Sequence, residues 1–191
     1  MSARNTENTY GSVARALHWI MALLIIGMWV LGLYMHELPR ETPEQMQYKF
    51  GLYDIHKAFG MLALLFILFR MYWRMTNVIP GFPDSMEKWE KLLAHAAHGV
   101  LYLLMLAFPV SGYLSSATGG HNITFFGLFE IPLLLSKNEG LSEVFGEIHE
   151  ICAWTIFFVF CLHVAAALYH HFVKKDDIMI RMSPRGAGKE E

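Results

Sequence analysis

Four long apolar runs, separated by polar stretches, organise the chain at roughly Val13–Met35, Ile55–Trp73, Leu92–Leu114 and Ile148–Val173. About 20 apolar residues in helical form cross the hydrocarbon core of a bilayer. Backbone groups in lipid have to pair within their own segment, so each run predicts a transmembrane α-helix. The connections differ in kind. Residues 36–54 are polar and hold Pro39 and Pro43, whereas residues 74–91 hold Pro80, Pro83 and alternating charges. Residues 115–147 make the longest connection, and the apolar stretch "ITFFGLFEIPLLLS" (123–136) lies inside it. Too short to span and broken by Pro132, this stretch predicts an interfacial segment along the membrane surface. The pattern is that of one small integral membrane domain of the all-α class, without internal repeats.

Composition supports that reading. Of 191 residues, 54% are hydrophobic and 17% charged, where a soluble domain would carry nearer a quarter of charged residues. The first run follows Arg4 and Arg15. It is too long for the core of a signal peptide and no small-residue cleavage site follows, so a retained first span is expected.

Charge sets the expected orientation. Arg4, Arg15, Arg70, Arg74, Lys88, Lys91, Lys174, Lys175, Arg181, Arg185 and Lys189 flank the spans on one side, against Arg40, Lys49, Lys57 and Lys137 on the other. Inside-positive bias then places both termini in the cytoplasm. The outer side pairs its four cations with nine carboxylates, a net charge of −5, while the inner side has eleven cations and eight carboxylates, a net of +3. Membrane lipid is the expected surrounding, and no nucleic-acid partner is expected.

Chemistry is concentrated in the histidines, ten in all. The fourth run, "HEICAWTIFFVFCLHVAAALYHHF" (149–172), holds His149, His163, His170 and His171. Polar side chains at membrane depth are costly and usually functional. His149 and His163 are fourteen residues apart, about 3.9 helical turns and ~21 Å along the axis, hence on nearly one face. Two planar cofactors could sit at those two levels, each needing a second histidine from another helix. His56, at the outer end of the second run, matches His149 in depth. For His163, depth leaves His18, His95 and His98 open. Haem iron accepts neutral imidazole, and helix bundles build haem sites between facing helices. Two axial imidazoles fill the iron's coordination sphere, which suits electron transfer rather than oxygen binding. Zinc prefers about four ligands in a tetrahedron, which such pairs do not supply. Cys152 and Cys161, nine residues apart, fall on opposite helix faces and cannot pair. They read as small buried hydrophobes, and with no C-x-x-C-H motif any haem is held non-covalently.

Four stretches, "ARALHWIMALLI", "YDIHKAFGMLALLFILFRMYWR", "LAHAAHGVLYLLMLAFPVSGYL" and "LYHHFVKKDDIMIRM", resemble the bacterial cytochrome b561 family. The last fits the pattern LHHxxxKDxxxxRM of its short free-standing members, which are related to the cytochrome b subunits of Ni-Fe hydrogenases and formate dehydrogenases. The resemblance runs from about Tyr10 to Arg185, giving a domain over 10–185 with polar tails at 1–9 and 186–191. It implies a four-helix bundle binding two b-type haems, His18 pairing with His163 inside and His56 with His149 outside. It further implies a quinone near the inner haem, for which His98 and His170 are the candidate residues, and haem propionates near Arg70, Arg74 or Lys57.

Short members of the family oxidise superoxide outside and reduce ubiquinone inside, so a superoxide:ubiquinone oxidoreductase is the leading expectation. An enzyme that draws in an anion should present positive charge, and here the outer side is acidic. The alternative is an electron-relay subunit serving a dehydrogenase, a hydrogenase or a basic c-type cytochrome. A transporter or metal-binding protein built on the same histidines is a third possibility.

Overall fold

The computed structural model describes residues 2–183; Arg185, Lys189 and the tail 186–191 lie outside the described residues. Four long helices carry the fold: α1 (Ser12–Glu37), α2 (Pro43–Met75), α3 (Lys88–Thr118) and α4 (Glu139–Tyr169). A π-helical turn, His170–Lys174, continues α4, and a short helix α5 (Ile178–Met182) follows. All four long helices are apolar and long enough to cross a membrane, and only 11–17% of each apolar window is buried within the protein. The remaining apolar surface is what lipid would cover. On α1 the buried face runs Leu17, Met21, Met28 and Met35, steps of four and seven residues that stay on one side of a helix.

Two helices start well before their apolar runs. α2 begins at Pro43 rather than near Ile55, and α4 at Glu139 rather than near Ile148. Local chemistry explains both starts. The Gln45 N–H donates to Thr42 Oγ1 (3.3 Å) while Gln45 Oε1 accepts from the Thr42 N–H (3.2 Å), a reciprocal cap with Pro43 in the first turn, where its missing N–H costs nothing. For α4, Asn138 Oδ1 accepts from the Leu141 N–H at 3.1 Å. Hydropathy registers the part of a helix that suits lipid, so polar first turns escape it. At the end of α1, buried Lys49 donates to the Leu38 (2.8 Å) and His36 (3.4 Å) carbonyls, which the last turn leaves without partners.

The expected interfacial segment is instead built around a hairpin. β1 (Ile123–Phe125) pairs antiparallel with β2 (Phe129–Ile131), Ile123 opposite Ile131 and Phe125 opposite Phe129. Phe126 and Gly127 both have positive φ, 51° and 74°, the backbone that tight hairpins need. A bulky side chain is strained there, and the Phe126 ring packs edge-on to Phe59 and Phe125 (centroids 5.0 and 4.9 Å). Lys57 Nζ ties the hairpin's start to α2 through the Asn122 carbonyl at 2.7 Å. Cys152 is buried as expected, but Cys161 is exposed. Opposite helix faces send one thiol inward and the other outward.

The chain divides into two compact units. One comprises the described residues of Met1–Met21, Phe66–Leu104 and Thr155–Glu191, and the other Ala22–Leu65 and Met105–Trp154. Each therefore takes a segment of all four long helices. The first contains both chain ends and is termed the terminal unit; the second contains the hairpin.

Candidate functional site

The hairpin unit brings His56 of α2 and His149 of α4 together, with ring centroids 6.3 Å apart and planes at 81°. Phe108 of α3 lies against His149, centroids 4.4 Å apart. The His149 Nδ1–H donates to the Phe108 carbonyl at 2.9 Å, and the Ser111 hydroxyl donates to the same carbonyl at 2.8 Å. An acceptor at Nδ1 fixes the tautomer and leaves Nε2 with a free lone pair, the arrangement of a metal-bound imidazole. Pro109 follows Phe108 within α3. The close approach depends on Gly112, because a Cβ there would stand 2.9 Å from His149 Cε1. His56 Nδ1 is buried and has no hydrogen-bond partner among the described residues. Lys57 pairs with Asp54 at 2.8 Å besides holding Asn122, so its charge is already committed.

The terminal unit brings His18 of α1 and His163 of α4 to the same centroid separation, 6.3 Å, with planes at 52°. His98 of α3 is on His163 as well, at 5.6 Å, while His95 packs on Phe82 at 5.0 Å. Arg70 Nη2 donates to His18 Nδ1 at 3.3 Å and Arg70 Nε donates to the Tyr102 hydroxyl at 3.2 Å. Arg70 and Arg74 both lie over the Tyr102 ring, at 5.7 and 5.3 Å. Tyr10, before α1, belongs to the same cluster. Burial pushes its hydroxyl up from the ordinary value, while the Arg74 and Arg70 charges pull the other way.

Do these pairs fit an iron? Two bonds of about 2.0 Å, the usual metal–imidazole length, plus about 1.1 Å from each ring nitrogen to its ring centre, put the centroids about 6.2 Å apart. Both pairs match that spacing, whereas His98–His163 is shorter. Among the described residues no group of three or more His, Cys, Asp or Glu could hold a metal ion. Paired imidazoles without further ligands suit a metal whose other positions a macrocycle fills. Arg70 lies beside His18 and Arg74 over the same Tyr102 ring; Lys57, the third residue read from sequence for a carboxylate, pairs with Asp54.

His170 is buried in the π turn of the terminal unit. Its Nδ1 meets Asp176 Oδ2 at 2.5 Å. No hydrogen bond or ring contact joins His170 to His98 among the described residues. Sequence reasoning missed Asp176, Phe108, Ser111 and Gly112. The glycine next to a serine in an apolar run, "PVSGYL", was the available signal for a close approach. Asp176 is the acidic position of the pattern LHHxxxKDxxxxRM, but the pattern gave no sign of its partner, which depends on the path of the chain after α4.

The family model for the prokaryotic cytochrome b561 matches residues 9–185. Cytochrome b561 homolog 2 of Escherichia coli (strain K12) is 36% identical over 95% of this chain and 95% of its own length. The probable superoxide oxidase CybB of Yersinia pestis is 29% identical over 94% of this chain and 98% of its own. Cytochrome b561 homolog 1 of the same E. coli strain is 26% identical over 93% and 98%.

Proposed function

The chain belongs to the prokaryotic cytochrome b561 family, and from that premise we propose that it carries two b-type haems, one held by His18 and His163 and the other by His56 and His149. Membership makes it a multi-pass membrane electron-transfer protein. The observation that supports the pairing is the common 6.3 Å ring spacing in two separate sites. Haem iron held by these imidazoles would supply reversible one-electron chemistry. The protein's own residues orient the rings: Phe108 and Ser111 hold His149, and Arg70 faces His18.

In this reading the protein sits in a bacterial inner membrane with both ends cytoplasmic, as the Lys and Arg distribution favours. The His56/His149 centre lies toward the outer face and the His18/His163 centre toward the inner one. Electrons pass from an outer donor to ubiquinone, whose head group binds near His98 and His170. Imidazoles there can hydrogen-bond its carbonyls and pass protons. Likeness to a probable superoxide oxidase supports a superoxide:ubiquinone oxidoreductase. The purified protein should contain two haems per chain, and superoxide alone should reduce them in a salt-dependent manner. A single haem or none overturns the pairing.

One observation favours a second reading for the donor. Lys57, the cation adjoining His56, is paired with Asp54, on a side carrying nine carboxylates against four cations. A basic donor protein, such as a small c-type cytochrome, suits that surface better than an anion. Reduction by such a cytochrome, with superoxide inert, would establish the relay role instead.

A further inference from the structure

We infer that Asp176 is a positioning residue for quinone reduction, holding His170 so that its Nε2 faces away from the carboxylate and toward the quinone. The inference rests on the quinone reading above. It begins with the backbone. The five-residue turn His170–Lys174 is π-helical, and Lys175 after it is left-handed with φ 56°. The N–H groups of Lys175 and Asp176 both point back to the His170 carbonyl, the latter at 3.3 Å. A π turn is wider than an α turn and is frequent at functional sites; a non-glycine residue at positive φ carries strain that surrounding structure has to hold. Together they fold the chain back so that a residue six positions on reaches the His170 ring.

Asp176 is itself fixed at both oxygens. Oδ2 meets His170 Nδ1 at 2.5 Å, and Oδ1 accepts from the Ile178 N–H at 3.2 Å, at the start of α5. The side chains are 10% and 5% exposed, so water competes little. α5 is anchored in turn. Arg181 Nη1 donates to the Gly81 carbonyl and Trp19 Nε1 to the Met182 carbonyl, both at 2.7 Å. The adjacent charges are paired off, Lys174 with Glu90 at 2.9 Å and Arg181 with Asp177 at 2.8 Å. A carboxylate this dry and this constrained does more than end a helix, since Oδ1 alone would serve that purpose.

The chemistry follows the general logic of an imidazole backed by a carboxylate, in which the acid sets the tautomer and balances the charge when the ring takes a second proton. Nδ1–H stays on Asp176, and Nε2 is the exchanging atom. Each electron the quinone accepts from a b-type haem is matched by one proton. Nε2 first takes a proton from the surrounding solvent, giving a doubly protonated ring whose charge Asp176 balances; that Nε2–H bond then breaks as an O–H bond forms at a quinone carbonyl oxygen, which restores the neutral Nδ1–H ring. Two rounds, two electrons and two protons, give the quinol.

The test uses the full haem-loaded chain with a short-chain ubiquinone. Nitrogen-15 NMR of histidine-labelled wild type should show His170 protonated at Nδ1; a bare Nδ1 overturns the inference without any variant. Asp176→Asn should move that proton to Nε2 and slow reoxidation of the reduced haems by quinone about tenfold or more. Haem content and the reduced-minus-oxidised spectrum should be unchanged, and Asp176→Glu should restore part of the rate. If His170→Gln is slow and Asp176→Asn is as fast as wild type, Asp176 has no such role and the quinone reading stands. If His170→Gln itself reoxidises at the wild-type rate, the quinone is elsewhere and both fail.

Discussion

The hairpin unit and the terminal unit each hold a histidine pair at one ring spacing, yet they surround it with opposite chemistry. His149 donates its Nδ1–H to a carbonyl that Ser111 also addresses. His18 instead has the Arg70 guanidinium 3.3 Å from its Nδ1, a hydrogen bond the ring would give up on binding iron through Nε2, when Nδ1 carries the proton, while the charge stays close by. An acceptor at Nδ1 makes the ring a stronger electron donor to a metal, whereas a guanidinium a few ångströms away withdraws charge and favours the reduced metal. The two centres are therefore expected at different potentials, the His18/His163 centre higher. Electrons would run downhill toward the unit that also contains His170 and Asp176. The lesson is that identical ligands specify a cofactor, while the groups behind them specify the direction of use.

The comparison breaks most sharply at the ligands. His149→Ala should remove one haem and leave the other spectrally intact, and His18→Ala should do the converse, both read as a fall from two haems per chain to one. Loss of both haems in either variant would mean that the two centres are not independent. Next comes Gly112→Ala, whose methyl would meet the His149 ring at 2.9 Å. It should weaken haem retention at the His56/His149 centre alone, about 10–100-fold as for other disturbed supporting shells, measured by haem transfer to apomyoglobin. Arg70→Leu sharpens the contrast without removing a cofactor. One charge lost at about 6 Å, at an effective dielectric near 20, corresponds to a fall on the order of 120 mV, which a redox titration should find in the His18/His163 component only. The smallest expected effect on the cofactors belongs to His98→Ala. Both haems should remain, because its 5.6 Å spacing from His163 is too short for a shared iron; any loss measured by pyridine haemochrome would make His98 a ligand.

Apolar periodicity exposed the four spans because lipid demands it of every turn inside the hydrocarbon. It did not expose where α2 and α4 begin, since Thr42 and Asn138 start those helices through hydrogen bonds that carry no hydropathy. The pairing of the histidine rings was half legible. Depth alone joined His56 to His149, but His18, His95 and His98 stood at similar depth, and family resemblance was needed to choose. Side-chain direction explains why: His95 turns to Phe82, and only His18 meets His163 at the wider spacing. The hairpin went unforeseen because the stretch was judged on its length and on Pro132, and the alternation "ITF…FEI" around a glycine turn was not weighed. Asp176 was visible as the acidic position of the closing motif, but its partner was not, for that follows from a π turn and one left-handed lysine.

α4 supplies one histidine to each pair, His149 to one and His163 to the other. Chains emerge from the ribosome beginning at the N-terminus, and α4 is the last of the four spans to be made. On the proposed pairing, neither clamp could close on a porphyrin until that helix had entered the bilayer, and both centres would mature together at the end of biogenesis. Intermediates carrying α1 to α3 alone would wait in the membrane as cofactor-free precursors, and a nascent chain stalled before residue 139 should capture no haem at all.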